Sequence, residues 1–71
     1  MHDIERSAPS ELELEDAIAR LPRLQREAFL MAARDGLSYP AIAKRLKVSH
    51  RRIARLVAKA LVRLDRALHR S

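Results

Sequence analysis

The chain contains no cysteine, one glycine and only two aromatic residues, Phe29 and Tyr39. Each shortage closes a class of answers. Without cysteine there is neither a disulfide framework nor a thiolate metal site, and the three histidines (His2, His50 and His69) are too scattered to form a ligand cluster. A single glycine leaves no glycine-rich phosphate loop. No nucleophile has a partner histidine and no acid–base pair suggests a cleft, so neither an enzyme nor a cofactor is expected. Two aromatics cannot make a stacking platform for single-stranded bases, which leaves Tyr39 as a core or rim residue. No apolar run approaches the ~20 residues needed to cross a bilayer, and the acidic N-terminus is unlike a signal peptide. The expectation is a cytoplasmic protein with no membrane insertion.

What is present is aliphatic and charged. Hydrophobic residues make up 48% of 71, enough for one small core that must rely on helix packing. The net charge of +6 is unevenly spread. Positions 1–21 carry two basic groups against six acidic ones, a net of −4, whereas positions 22–71 carry thirteen against three, a net of +10. An acidic head on a strongly basic body is the footprint of a polyanion binder whose first segment faces elsewhere.

Periodicity and caps predict four helices and no strand. Residues 1–9 show no pattern and read as a disordered leader or linker; 10–71 read as one domain. Ser10 with Glu13 forms a capping-box pattern, and Leu14, Ala17, Ile18 and Leu21 share the face of the helix that follows. Pro22 ends it. A second helix runs from about Arg23 to Arg34, with Leu24, Ala28 and Met31 on one side, and Asp35-Gly36 stops it. Ser38 caps a short third helix to about Leu46, with Pro40 in its first turn. After a tight Lys47-Val48 turn, Ser49 caps a fourth helix reaching about Leu68.

The stretch from Tyr39 to Val57 has the requirements of a helix-turn-helix. Two short helices that meet at a steep angle need a small residue at the crossing and apolar residues at fixed offsets. Ala43 is the small residue; Ile42, Leu46, Val48, Ile53 and either Leu56 or Val57 are the apolar set. Lys47 stands where glycine often supplies the turn, so a left-handed conformation there would cost about 1 kcal/mol. In the fourth helix Ile53, Val57, Leu61, Leu64 and Leu68 are assigned to the core, and Arg52, Arg55, Lys59, Arg63, Arg66 and Arg70 form a basic stripe on the other side. Recognition helices reach base edges from their N-terminal turns, which nominates His50, Arg51, Arg52 and Arg55. Lys59 and the later arginines lie too far along a straight helix to share the same groove, so they suit phosphates or plain solvation. Ser49 and its neighbouring N–H groups suit a phosphate as well as a cap, and Arg23 and Arg26 are further phosphate candidates.

Several strings in this chain are familiar. Leu21-Pro22, Gln25-Arg26-Glu27-Ala28-Phe29-Leu30, Asp35-Gly36-Leu37-Ser38-Tyr39, Ile42-Ala43 and Val48-Ser49 follow the order and spacing of region 4 of extracytoplasmic-function sigma factors. Val57-Ala58-Lys59-Ala60 resembles the iron-starvation, ferric-citrate type branch. The resemblance covers about residues 11–68. It implies an all-α, four-helix domain that reads the −35 element of double-stranded promoter DNA and docks on the flap of the RNA polymerase β subunit. An anti-sigma or membrane-sensor regulatory protein is implied as a further partner on the same surfaces. Carried over position by position, Ser49, Arg51, Arg52 and Arg55 would face the −35 DNA and Arg26 its backbone. Three positions depart from the family pattern: Ala41 replaces a common Glu, Arg52 a usual Thr, and Ala54 a common basic residue. Base preference therefore does not transfer from relatives. Nothing here corresponds to region 2, which opens the −10 element, so the chain alone is not expected to initiate transcription. It is either a domain of a longer protein or a free-standing regulator. Two alternatives stand beside this reading. One is a response-regulator effector domain, which would dimerise through its last helix. The other is an interaction module for an anti-sigma factor or polymerase, which would not need a stripe of cations.

Overall fold

Every helix begins beside a serine or a proline. A computed structural model describes residues 10–69, and its helices are α1 Glu11–Ala19, α2 Arg23–Ala33, α3 Tyr39–Leu46 and α4 His50–His69. The expected leader at 1–9, and Arg70 at the end of the basic stripe, lie outside the described residues. Ser10 Oγ accepts the Glu13 N–H at 3.1 Å while Glu13 Oε1 accepts the Ser10 N–H at 2.9 Å, so the capping box is complete. Ser38 Oγ accepts the Ala41 N–H at 3.3 Å, but the alanine has no carboxylate to return the bond. Ser49 Oγ accepts the Arg52 N–H at 3.0 Å and starts α4. Pro22 precedes α2 without a side-chain cap.

The helix ends are equally local. α1 stops at Ala19, with Arg20 as its cap. After α2 the chain turns through Gly36 at φ +68°, and the Leu37 N–H donates to the Met31 carbonyl at 2.9 Å. A Cβ at Gly36 would meet nothing within 4 Å, so backbone angle rather than space calls for glycine there. α3 ends on Lys47, at φ 59° and ψ 43°. Lys47 and Val48 both donate their N–H groups to the Ala43 carbonyl. Among the described residues Lys47 is the only non-glycine with positive φ, a left-handed conformation that costs a side chain about 1–2 kcal/mol.

α4 serves two cores. Its first half packs Ile53, Leu56 and Val57 against Ala28 of α2 and Ile42 of α3. Leu46, Val48, Ala43 and Tyr39 close in around that cluster. Its second half packs Ala60 and Leu64 against Ala17 of α1 and Leu21, with Ile18, Phe29 and Leu68 alongside. Ile42 and Ile53 have no exposed surface. Burying one such side chain contributes about 1.5–3 kcal/mol, so these two residues fix α3 against α4. Both Leu56 and Val57 are buried, where one of the two was expected. Leu61 corrects the expected core stripe: it is 53% exposed. Ala60, Leu64 and Leu68 cover the line facing α1, and Leu61 lies on the flank, beyond the reach of either core.

Candidate nucleic-acid interface

The Ser49 cap and the buried Ile53 together fix how α4 leaves the turn. With Ile53, Leu56 and Val57 held inward, helical spacing of 100° per residue turns Arg51 and Arg55 outward, with Arg52 and Lys59 beside them. His50, Arg51, Arg52, Arg55 and Lys59 are all exposed. Arg51 to Arg55 spans about 6 Å of helix rise and Arg51 to Lys59 about 12 Å. That is the width of a B-DNA major groove, about 12 Å, so Lys59 stands at the rim. Arg63 and Arg66 lie further along, outside any single groove crossing.

Among the described residues the cations differ in their pairing. Arg20, Arg23 and Arg34, in and around α1 and α2, face Asp16, Glu27 and Asp35 at 3.1, 3.1 and 3.2 Å. Among the described residues, no carboxylate pairs with Arg51, Arg52, Arg55, Lys59, Arg63 or Arg66 of α4. Asp65, the acidic residue of α4, turns to His69 at 3.1 Å. Such an array of like charges, unneutralised from within, raises the local potential for a polyanion.

A likeness at the level of families matches this geometry. The family model described as Sigma-70, region 4 matches residues 11–64, from the start of α1 well into α4. The chain belongs to the sigma-70 region 4 family. No curated protein and no solved structure matches it. Region 4 is a DNA-binding, non-enzymatic fold, and membership implies interaction with promoter DNA and with RNA polymerase. Among the described residues no helix of this region 4 domain is long and apolar enough to cross a membrane.

Two of the nominated side chains have neighbours that the sequence did not reveal. The His50 ring meets Tyr39 edge-on, with centroids 6.4 Å apart and planes at 79°, so the first residue of α4 also braces the start of α3. Arg26 Nη1 donates to the carbonyls of Ala19 and Leu21 at 3.2 and 3.4 Å. It closes the end of α1, where carbonyls lack intrahelical partners. Arg26→Ala should therefore lower stability by about 1–2 kcal/mol, read as a fall in melting temperature. An unchanged melt would show that the corner does not depend on those bonds. Sequence reasoning also left Lys44, Arg45 and Lys47 out of the candidate DNA contacts. All three are exposed, and among the described residues none has an acidic partner. The available signal was three cations within four positions, the last of them two residues before the Ser49 cap.

Proposed function

We propose that this chain is the promoter-reading domain of a sigma factor, placing the N-terminal turns of α4 in the major groove of the −35 element. One observation carries the proposal: the outward face of α4 bears four cations, Arg51, Arg52, Arg55 and Lys59, that no carboxylate among the described residues neutralises, on a helix anchored from behind by Ile53. Arg51, Arg52 and Arg55 take the base edges and the phosphates nearest them, because a planar guanidinium donates two parallel bonds to guanine O6 and N7. Ser49 and the free N–H groups of the first turn suit a phosphate, as does Lys59 at the rim, while His50 lies at the entrance. Arg26 has the smaller share: Nη1 is occupied at the corner after α1, and its other nitrogens remain for the DNA backbone.

Polymerase has a different surface available. Leu14, Ile18, Phe29, Leu30 and Ala33 line an open, mainly apolar groove of about 590 Å³ between α1 and α2, away from the α4 cations, with Glu15, Arg26 and Arg34 also in its lining. Such a groove suits a helix or loop of the β-subunit flap, and an anti-sigma or membrane-sensor protein would compete for the same apolar lining. The string Val57-Ala58-Lys59-Ala60 favours the iron-starvation, ferric-citrate type branch of extracytoplasmic-function sigma factors.

Selection of bound duplexes from a random pool tests the reading. The expected result is enrichment of one short motif, with affinity falling steeply as salt rises. Absence of any enriched motif, even with the chain tethered to a polymerase flap to raise its local concentration, would sink it.

A further inference from the structure

Lys47 holds a conformation that glycine adopts freely and that a side chain resists, at φ 59° and ψ 43°. Nothing in the interior asks for a long cation there. Leu46 and Val48, on either side, supply the packing of the turn, and Lys47 itself is exposed. Among the described residues it has no acidic partner and no side-chain hydrogen bond. Lys44 and Arg45, in the last turn of α3, share that state, and Ser49 follows two residues later to open α4. Three cations thus border the end of the helix that enters the groove.

A groove is walled by phosphates, and a helix that enters by its N-terminus brings the preceding turn beside one of the two strands. We propose that Lys47, flanked by Lys44 and Arg45, forms a phosphodiester-binding site at the α3–α4 turn, and that the left-handed strain persists because the ammonium group is used there. The inference rests on the DNA-reading role argued above. A purely structural account makes a different forecast. Cations at the C-terminal end of a helix complement its dipole, so neutralising them would lower stability and leave binding unchanged.

The test is fluorescence anisotropy of the full chain on a labelled duplex of mixed sequence, across a salt series, beside thermal melting. In Lys47→Gly, stability and binding should move in opposite directions. The melting temperature should rise by about 4 °C as strain is relieved. Affinity at about 50 mM salt should fall roughly 3- to 15-fold, and the slope of log K against log salt should become shallower by about 0.9, as for one lost phosphate contact. Lys47→Gln should show the same loss of binding without the rise in melting temperature, and Lys47→Arg should bind as the parent does. The combined Arg51→Ala, Arg52→Ala and Arg55→Ala variant separates the two levels of the argument. If it loses binding while Lys47→Gly and Lys47→Gln keep the parental affinity and slope, the turn site is wrong and the reading helix stands. If the triple variant also binds as the parent does, the reading helix is wrong and the turn site falls with it.

Discussion

Ile53→Ala is expected to remove about 2–5 kcal/mol of stability, enough to leave much of the chain unfolded at physiological temperature. The side chain is fully buried between Ala28 and Ile42, with Leu56 and Val57 one turn along the same helix. Truncation removes three carbons from a site with no solvent to fill it, so the lost transfer energy and the cavity add. A chain of this length has about 4–11 kcal/mol of total stability at ordinary values per residue. One substitution thus consumes a large fraction of the whole. In a domain of 60–100 residues each kcal/mol moves the melting temperature by about 4–8 °C, so a drop of at least about 8 °C should be visible by circular dichroism. Ile53→Val, which removes one methyl group, should lower stability by only about 0.5–1.5 kcal/mol. Leu61→Ala, on the exposed flank, should stay within about 0.5 kcal/mol of the parent. If Ile53→Ala melts within a few degrees of the parent, α4 does not pack against α2 and α3 as described. The cationic face would then lose its anchor as well, because Ile53 sits next to Arg52 and two residues from Arg55.

The helix boundaries were legible in the sequence because each is set by chemistry within a few residues. Ser10 with Glu13, Ser38, Ser49 and Gly36 act on the backbone beside them, and all four do in the structure what their residue types allow. Even the conflict at Lys47 was visible: glycine was wanted, lysine was present, and the left-handed angle is there. What the sequence could not decide is what depends on a second element. A periodic apolar stripe marks one side of α4 without saying which edge another helix covers. α4 is split between a first core with α2 and α3 and a second with α1, which buries Leu56 and leaves Leu61 in water. The role of Arg26 was hidden for the same reason. Its bonds reach back five and seven residues to carbonyls around the end of α1, across the Pro22 break between two separate helices, where no single helical pattern runs. The pairing state of the cations, by contrast, is local: every ion pair among the described residues joins positions one or four apart. Arg23 and Arg52 read alike as letters, yet one has Glu27 a turn away and the other has no acidic partner among the described residues.

That difference in pairing gives the second large effect, the loss of sequence discrimination in Arg52→Ala and Arg55→Ala. An arginine already engaged with a carboxylate must break that contact before it meets DNA, which offsets part of what it gains. Arg52 and Arg55 have no such contact to break, and they stand in the first two turns of α4, where base edges are within reach. Removing either should weaken binding to the preferred duplex by about 1–3 kcal/mol, roughly 5- to 150-fold, while affinity for unrelated duplexes changes much less. Arg63→Ala and Arg66→Ala lie at least 18 Å of helix rise beyond Arg51, by a spacing of about 1.5 Å per residue. They should instead weaken every duplex by the same small factor and make the salt slope shallower by at most about 0.9 each. The contrast matters more than either magnitude, because a cation that only neutralises phosphate cannot favour one sequence over another. If Arg52→Ala and Arg55→Ala lower affinity equally for preferred and unrelated duplexes, both belong with the backbone contacts. Discrimination would then have to come from the shape of the duplex, its groove width and bendability, rather than from guanidinium groups at its base edges.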